Sequence, residues 1–489
     1  MKKKPNIVVV MTDDHGQWAA RCYGNREIRT PNMDVLAERG TVMENAYTPS
    51  PVCSPARACF FTGKLPSQHG LHDYLTEAPD EEHYDWLHGL ETLPAALQRQ
   101  GYRTGLVGKW HCGASWKARP EFDYWFSYMK GQYPHFGDHD FVENCEVYHA
   151  YGHQTPVLTE KALDCMDNFS ESDDPFFLFV GYVDTHSPFI DHPERLVSYY
   201  REQATFCDIP DETPVVPEGG WFRFGVPADP VERREWLAQY YAAAEFIDEQ
   251  LGMLMDRLEA LGELDNTVFV YTSDHGHMNG HHGLYTKGNA TVPQNFYEES
   301  IRVPCLIQWP GRIRSGVRCP QVVNHCDLYQ TLLEAAGAAE DSRANNDSFP
   351  GQSFFQALKK PGGQDGSHPM FCEYGNARMI RKGRYKYIRR YAPHDAFGDE
   401  LYDLQDDPRE RVNRIGRDAD IAAGLRKELD AHFAQFEIPE LSGSTVLSQK
   451  SCNPCEPWRQ KRPEVLDPEG ADMKALRHVS RLKPKGGEV

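Results

Sequence analysis

Four apolar runs end in polar clusters, and no other feature limits the fold of this chain as tightly. Asn6 to Thr12 leads into Asp13-Asp14, and Tyr102 to Val107 into Gly108-Lys109-Trp110-His111. Pro175 to Tyr182 leads into Asp184-Thr185-His186, and Asn266 to Thr272 into Ser273-Asp274-His275-Gly276. A strand buried on both faces reads as a continuous apolar run, the mark of a mostly parallel sheet. Helical patterns lie between these runs: Thr30 to Gly40, Thr92 to Gln100, Thr155 to Phe169 and Arg233 to Leu261. Val303 to Gln308 adds a strand and His325 to Ala336 a helix. The alternation predicts an α/β fold, a large mixed and mostly parallel sheet sandwiched by helices. Open α/β sheets bind ligands beyond the C-terminal ends of their strands. The four clusters therefore predict one site.

A fifth stretch points to the same place. Pro51-Val52-Cys53-Ser54-Pro55-Ala56-Arg57 precedes a helical run from Ala56 to Thr62. Pro55 suits a first helical turn. Cys53 then sits at a helix N-terminus, which favours negative charge, and Arg57 lies one turn on, along the same face. The pattern fits a nucleophile in an anion pocket, and it equally fits a buried structural cysteine. Asp13 and Asp14 at a strand end fit a hard cation with oxygen ligands. Lys109 and His111, one residue apart, face the same side if the backbone there is extended.

Cys-Ser-Pro-Ala-Arg resembles the C-x-P-x-R signature of the type I, formylglycine-dependent sulfatases of the alkaline phosphatase superfamily. Further landmarks follow in order: Asp13-Asp14, Gly108 to His111, Asp184 to Pro188, Thr272 to Gly276, Lys287, and Leu401-Tyr402-Asp403-Leu404 with Asp407-Pro408. The resemblance implies that Cys53 is converted to Cα-formylglycine by a maturation enzyme. It implies that Asp13, Asp14, Asp274, His275 and the modified Cys53 hold a divalent cation, Ca²⁺ by family habit or else Mg²⁺. One hydroxyl of the aldehyde hydrate attacks sulfur. His186 and Lys287 protonate the leaving group. His111 takes a proton from the second hydroxyl as sulfate departs, and Arg57 and Lys109 hold the formylglycine and sulfate oxygens. The implied substrate is a sulfate monoester, either a sugar sulfate or an aryl sulfate. The alternative within the superfamily is a phosphonate monoester or phosphodiester hydrolase, and outside it a binding protein with unmodified Cys53.

Composition sets outer bounds. A net charge of −20 argues against nucleic acid or an anionic membrane as partner, so an anion site must build its own positive field. Thirteen irregularly spaced cysteines predict reduced thiols. Met1-Lys2-Lys3-Lys4 resembles a signal n-region, but the apolar run from Ile7 to Met11 is too short for an h-region. No stretch has the length of a membrane span. The expectation is a cytoplasmic enzyme, or a periplasmic one if a leader has been removed.

Residues 112–153 read as irregular, with Trp116, Phe122, Tyr124, Trp125, Phe126, Tyr128, Tyr133 and Phe136 packing on the core rather than forming a substrate lid. Residues 191–232 read as an insertion. The Gly/His loop from Gly276 to Gly288 supplies Lys287 and offers His281 and His282 as substrate contacts. Residues 338–370 read as a linker. Short antiparallel strands follow at Met379-Ile380, Arg384 to Arg389 and Glu400 to Leu404. The division is a catalytic domain over 1–365 and a C-terminal subdomain over 366–489 with a small antiparallel sheet and an extended tail. Cys452-Asn453-Pro454-Cys455 reads as a loop rather than half a zinc site, and the tail as a segment through which a homo-oligomer would form.

Overall fold

The computed structural model describes residues 4–76, 84–129, 134–222, 227, 229–338, 348–360 and 368–460. Ten strands form the main sheet: β1 (Asn6–Thr12), β2 (Thr41–Tyr47), β3 (Arg103–Gly108), β4 (Tyr124–Tyr128), β5 (Phe136–Glu143), β6 (Glu146–His153), β7 (Phe176–Gly181), β8 (Thr267–Ser273), β9 (Cys305–Gln308) and β10 (Val317–Asn324). Their order is β10-β2-β9-β8-β1-β7-β3-β4-β5-β6. β8, β1, β7, β3 and β4 are parallel neighbours, while β9 and the β5–β6 hairpin run antiparallel. The expected α/β architecture is therefore present.

β1 shows why the sheet is sandwiched. Ile7, Val9 and Met11 join one apolar core, and Val8 and Val10 join the other, all fully buried. Strand side chains alternate faces, so an all-apolar strand needs cover on both sides. α2 (Cys53–Thr62), α3 (Leu93–Arg99) and α7 (His325–Ala336) bring residues to the first core. α1 (Pro31–Arg39), α4 (Gln154–Ser170) and α6 (Pro230–Ala260) serve the second.

Asp248 ties two of these helices together. Its carboxylate accepts from the backbone N–H of Asn32 (3.0 Å) and Met33 (2.7 Å) in the first turn of α1. Thr30 places no side-chain bond there, so α6 supplies the cap through space. Asp248→Ala is expected to lower stability by about 2 kcal/mol, as loss of a cap at a buried site does; denaturant melts would read it.

The structure corrects the reading of 112–153. Half of that stretch is β4, β5 and β6, which extend the sheet to its edge. β5 and β6 carry polar or exposed residues along much of their length, including Tyr151 at 73% exposure, so no continuous apolar run marks them. The aromatics do pack inward at Trp125, Phe126 and Tyr128, whereas Phe136 is exposed; Tyr133 lies outside the described residues. The expected insertion at 191–232 contains α5 (Glu194–Gln203).

After the main sheet, β11 (Met370–Tyr374), β12 (Ala377–Lys382), β13 (Tyr385–Arg390) and β14 (Glu400–Asp403) form an antiparallel four-stranded sheet. α8 (Ala419–Phe436) packs on it through Leu425, Leu429 and Phe433. All thirteen cysteines are free thiols. Cys452 is buried and Cys455 exposed. The tail beyond 460 lies outside the described residues. No helix among the described residues is long and apolar enough to cross a membrane.

Candidate active site

Strand register places the carboxylates. Thr12 pairs with Ser273 across β1 and β8, so Asp13 and Asp274 leave adjacent parallel strands at one level. Asp274 N donates to Thr12 O (3.1 Å) and Asp14 N lies 3.4 Å from Asp274 Oδ1. β7 and β3 end beside them, carrying Asp184-Thr185-His186 and Lys109-Trp110-His111. Thr185 N donates to Asp13 O (2.9 Å), and Tyr240 of α6 donates its hydroxyl to Asp14 O (2.9 Å).

α2 begins at Cys53 itself, three residues earlier than the apolar pattern predicts, because Val52 is extended and leaves the helix to start behind it. Cys53 is 2% exposed. Its Sγ stands 3.1 Å from Lys287 Nζ, 3.2 Å from His275 Nε2 and 3.5 Å from Asp13 Oδ1. Arg57, one turn on, donates Nε to Asp274 Oδ2 (2.9 Å) and Nη1 to Lys109 O (2.8 Å), with Nη2 3.5 Å from Asp13. Lys109 Nζ pairs with Asp13, and Lys287 Nζ donates to Asp14 Oδ1 (2.8 Å). The predicted residues thus converge. Arg57 and Lys109, expected on oxygens of the modified residue and of sulfate, here brace the carboxylates.

His111 reaches the site by a different path from the one expected. Gly108 (φ 99°) and His111 (φ 56°) are left-handed, so the chain turns rather than continuing as a strand. A Cβ on Gly108 would lie 2.1 Å from Gly181 O, so β7 leaves room only for glycine. His111 Nε2 bonds to Leu75 O (2.9 Å), which places the proton there; Nδ1 is buried without a hydrogen bond. Burial, with Lys109 next, holds its pKa well below the usual histidine value. The result is a neutral imidazole with an open lone pair.

His186 Nδ1 bonds to the Ser187 carbonyl, and Nε2 lies 3.6 Å from Asp14 Oδ2. Burial, then Lys287, depress its pKa well below the ordinary range. Burial also works against a charge on Lys287, but Asp14, Cys53 and Asp13 outweigh it and hold the amine well above its usual value. Of the two groups read as acids, Lys287 is the one that carries a proton at neutral pH. Burial, with Asp13 second, pushes the Cys53 thiol up to about 12, which reverses the acidity expected from the helix N-terminus.

The donor set fits a divalent cation. Ligand atoms of Asp13, Cys53, Asp274 and His275 lie within 4.8 Å of one another, all buried. His275 Nδ1 bonds to Gly276 O (2.9 Å), which turns the Nε2 lone pair toward the cluster. Asp13, Asp14 and Asp274 balance Arg57, Lys109 and Lys287 in charge, so a dication makes the pocket positive, as an anionic substrate requires. Asp14 approaches through Lys287 and His275 Nδ1 (3.2 Å) rather than through the Cys53 side.

Two expectations fail. His281 and His282 are 4% and 3% exposed. His281 bonds to Met278 O and packs on Trp18; His282 pairs with Glu299 (2.8 Å) and stacks on Tyr297. Neither is open to substrate. Sequence reasoning also passed over His277, whose Nε2 lies 3.9 Å from Asp14. Its place two residues after His275 was the available signal.

Residues 5–338 match the family model described as Sulfatase, and residues 280–436 match N-sulphoglucosamine sulphohydrolase, C-terminal. The chain belongs to the sulfatase family and is an enzyme that cleaves sulfate esters. It is 27% identical to an N-acetylglucosamine-6-O-sulfatase of Bacteroides thetaiotaomicron, over 85% of this chain and 83% of that protein. It is 28% identical to an ulvan-active sulfatase of Formosa agariphila, over 88% and 80%. A solved structure in complex with its substrate D-glucosamine-2-N,6-O-disulfate superposes with a TM-score of 0.75 at 25% identity, covering 89% of this chain and 98% of the other.

Proposed function

We propose that the chain hydrolyses O-sulfate esters of saccharides, with Cys53 acting as formylglycine beside a Ca²⁺ ion, or Mg²⁺ in its place. The observation that carries this reading is the position of Cys53 Sγ, within 3.5 Å of Lys287, His275 and Asp13 at the head of α2. The saccharide is supported by the relatives, whose names specify sulfated N-acetylglucosamine and ulvan.

Asp13, Asp14, Asp274 and His275 would hold the cation, together with the oxygen that replaces Sγ. When bound, the cation supplies Lewis acidity and charge stabilisation, and the modified side chain supplies an oxygen nucleophile. The remaining work falls to this chain's own groups. Arg57 fixes the orientation of Asp274. Lys109 and Lys287 offset the carboxylates and attract the sulfate oxygens. Lys287 holds the proton the leaving oxygen needs, and His186 Nε2 shares that side of the pocket. His111 Nδ1, buried with its lone pair open, accepts the proton released when sulfate departs.

Lys287→Met is expected to lower kcat by about 10²–10⁴-fold on alkyl sulfates, the usual scale for a proton-transfer residue. The loss should shrink on aryl sulfates whose leaving group needs no proton. Equal losses on both substrates would remove Lys287 from proton transfer.

The function is tested by kcat/KM on 6-O-sulfated N-acetylglucosamine, an aryl sulfate, a phosphonate monoester and a phosphate diester, using protein whose Cys53 peptide has been weighed. Sulfated sugar is expected to lead both phosphorus esters by about a hundredfold or more. A phosphonate monoester in first place would transfer the assignment to the alternative hydrolase class.

A further inference from the structure

Behind the catalytic pocket, on the far side of the loop that carries His186, a second cluster has no role in the chemistry described above. Asp184 is fully buried and follows β7. Its carboxylate meets three imidazoles that come from separate parts of the chain. His192 Nε2 lies 3.2 Å from Oδ1, His135 Nδ1 3.3 Å from Oδ1, and His153 Nε2 3.8 Å from Oδ2. Thr155 adds a hydroxyl bond of 2.6 Å to Oδ2. The three rings lie 5.6–6.0 Å apart, centre to centre.

The outer nitrogens fix where the protons are. His192 Nδ1 faces Gln239 Oε1 at 3.0 Å, and Gln239 is turned that way because its Nε2 donates to Glu235 (3.0 Å). His192 therefore carries its proton on Nδ1 and points the Nε2 lone pair at a carboxylate oxygen. His135 Nε2 faces the His186 carbonyl (3.0 Å), which likewise sets its proton outside; its inner Nδ1 receives Gln154's amide (3.0 Å). A lone pair against a carboxylate is repulsive unless a cation lies between them. An acceptor on the outer nitrogen, as Gln239 provides for His192, is the arrangement metal-binding histidines adopt.

His153 supplies a second observation. Its Nε2 has no hydrogen bond, and its side chain is 8% exposed and aimed at Asp184. One proton on His192 would relieve one contact and leave this nitrogen unpaired. A metal ion takes both. The ligand atoms of His153, Asp184 and His192 all lie within 4.8 Å of one another. A tetrahedral ion with bonds near 2.1 Å spaces its ligands about 3.4 Å apart; His192 Nε2 lies 3.2 Å from one Asp184 oxygen and His153 Nε2 3.8 Å from the other.

We propose that His153, Asp184 and His192 bind a borderline dication of the Zn²⁺ class, distinct from the hard-ion site at Asp13 and Asp274. Two nitrogens and one carboxylate oxygen select Zn²⁺ over Ca²⁺. His135 joins as a fourth ligand when it exchanges Gln154's amide for the ion. Thr155 N donates to His153 Nδ1 (3.3 Å), which sets the proton of the metal-free His153 on Nε2; binding the ion moves that proton to Nδ1 and breaks this contact. The ion would tie the end of β6, the start of α4 and the loop after β7 into one unit directly behind His186.

The test uses full-length protein stripped of metal, given excess Ca²⁺ and one equivalent of Zn²⁺, then desalted. Zinc is expected to stay at about one per chain, and its X-ray absorption fine structure should show two or three imidazoles. The site at Asp13 and Asp274 offers one histidine, so a one-imidazole fit would overturn the proposal. Retention of no zinc would also overturn it and would leave a proton on His192 as the partner of Asp184. His192→Gln and His153→Gln should each lose the retained zinc and the rise in Tm that zinc gives the parent protein. Retention equal to the parent in both variants would overturn the assignment.

Discussion

Cys53→Ala is expected to abolish turnover, by a factor on the order of 10⁴–10⁶, the scale seen when a covalent nucleophile is removed. Cys53→Ser should instead accumulate a sulfated enzyme, because a serine ester has no second hydroxyl through which sulfate can leave. Intact mass separates the two outcomes: unshifted protein for alanine, and an added sulfo group for serine after substrate is supplied. Protein made without a maturation enzyme should show activity in proportion to its aldehyde content.

The rival is a cysteine thiolate, and the structure speaks against it in two ways. Burial and Asp13 push the thiol up to about 12, so in the protein's own field it stays protonated at pH 7. Second, sulfur attack on a sulfate ester would displace the alkoxide and leave S-sulfocysteine, an adduct with no second hydroxyl through which sulfate could be expelled. Full turnover by a preparation whose Cys53 weighs as an unmodified thiol would defeat the formylglycine assignment.

The central site was legible because its residues terminate apolar runs. β1 and α7 have the bounds read from the sequence, Asn6–Thr12 and His325–Ala336. An apolar run that stops at Asp13 or Asp274 fixes both a strand and the edge where its polar neighbours gather. Strands with mixed faces gave no such signal. β2 carries Glu44 and Asn45, half-buried, in its middle, and β10 carries Arg318 and Gln321. α8 did carry a helical period, Ala422, Leu425, Leu429 and Phe433, which the reading passed over. Side-chain direction was the harder limit. His111 depends on two left-handed residues, and His281 and His282 on the fold of a loop with its own packing. The Asp184 cluster joins residues separated by 8 to 57 positions in the chain, and spacing alone does not bring them together.

Asp274→Ala and Asp13→Ala should each lower activity by about 10³-fold or more and remove high-affinity Ca²⁺ binding by calorimetry. The two differ in what else they disturb. Asp274 is the bonded partner of Arg57, whose side chain is fully buried. Deleting it strands a guanidinium, a loss of about 3–5 kcal/mol. Asp13 shares its charge among Lys109, Arg57 and Lys287, so removing it leaves three cations around Cys53 with less to hold them. Asp274→Asn separates folding from metal binding, because the amide oxygen still accepts from Arg57 Nε while the ligand charge is gone. It should melt closer to the parent than Asp274→Ala does, yet stay inactive at any Ca²⁺ concentration the parent needs. Chelation of the parent should reproduce the same loss reversibly, with activity returning on added Ca²⁺. Full activity after exhaustive chelation would show that the three carboxylates serve only to hold Arg57, Lys109 and Lys287 in place.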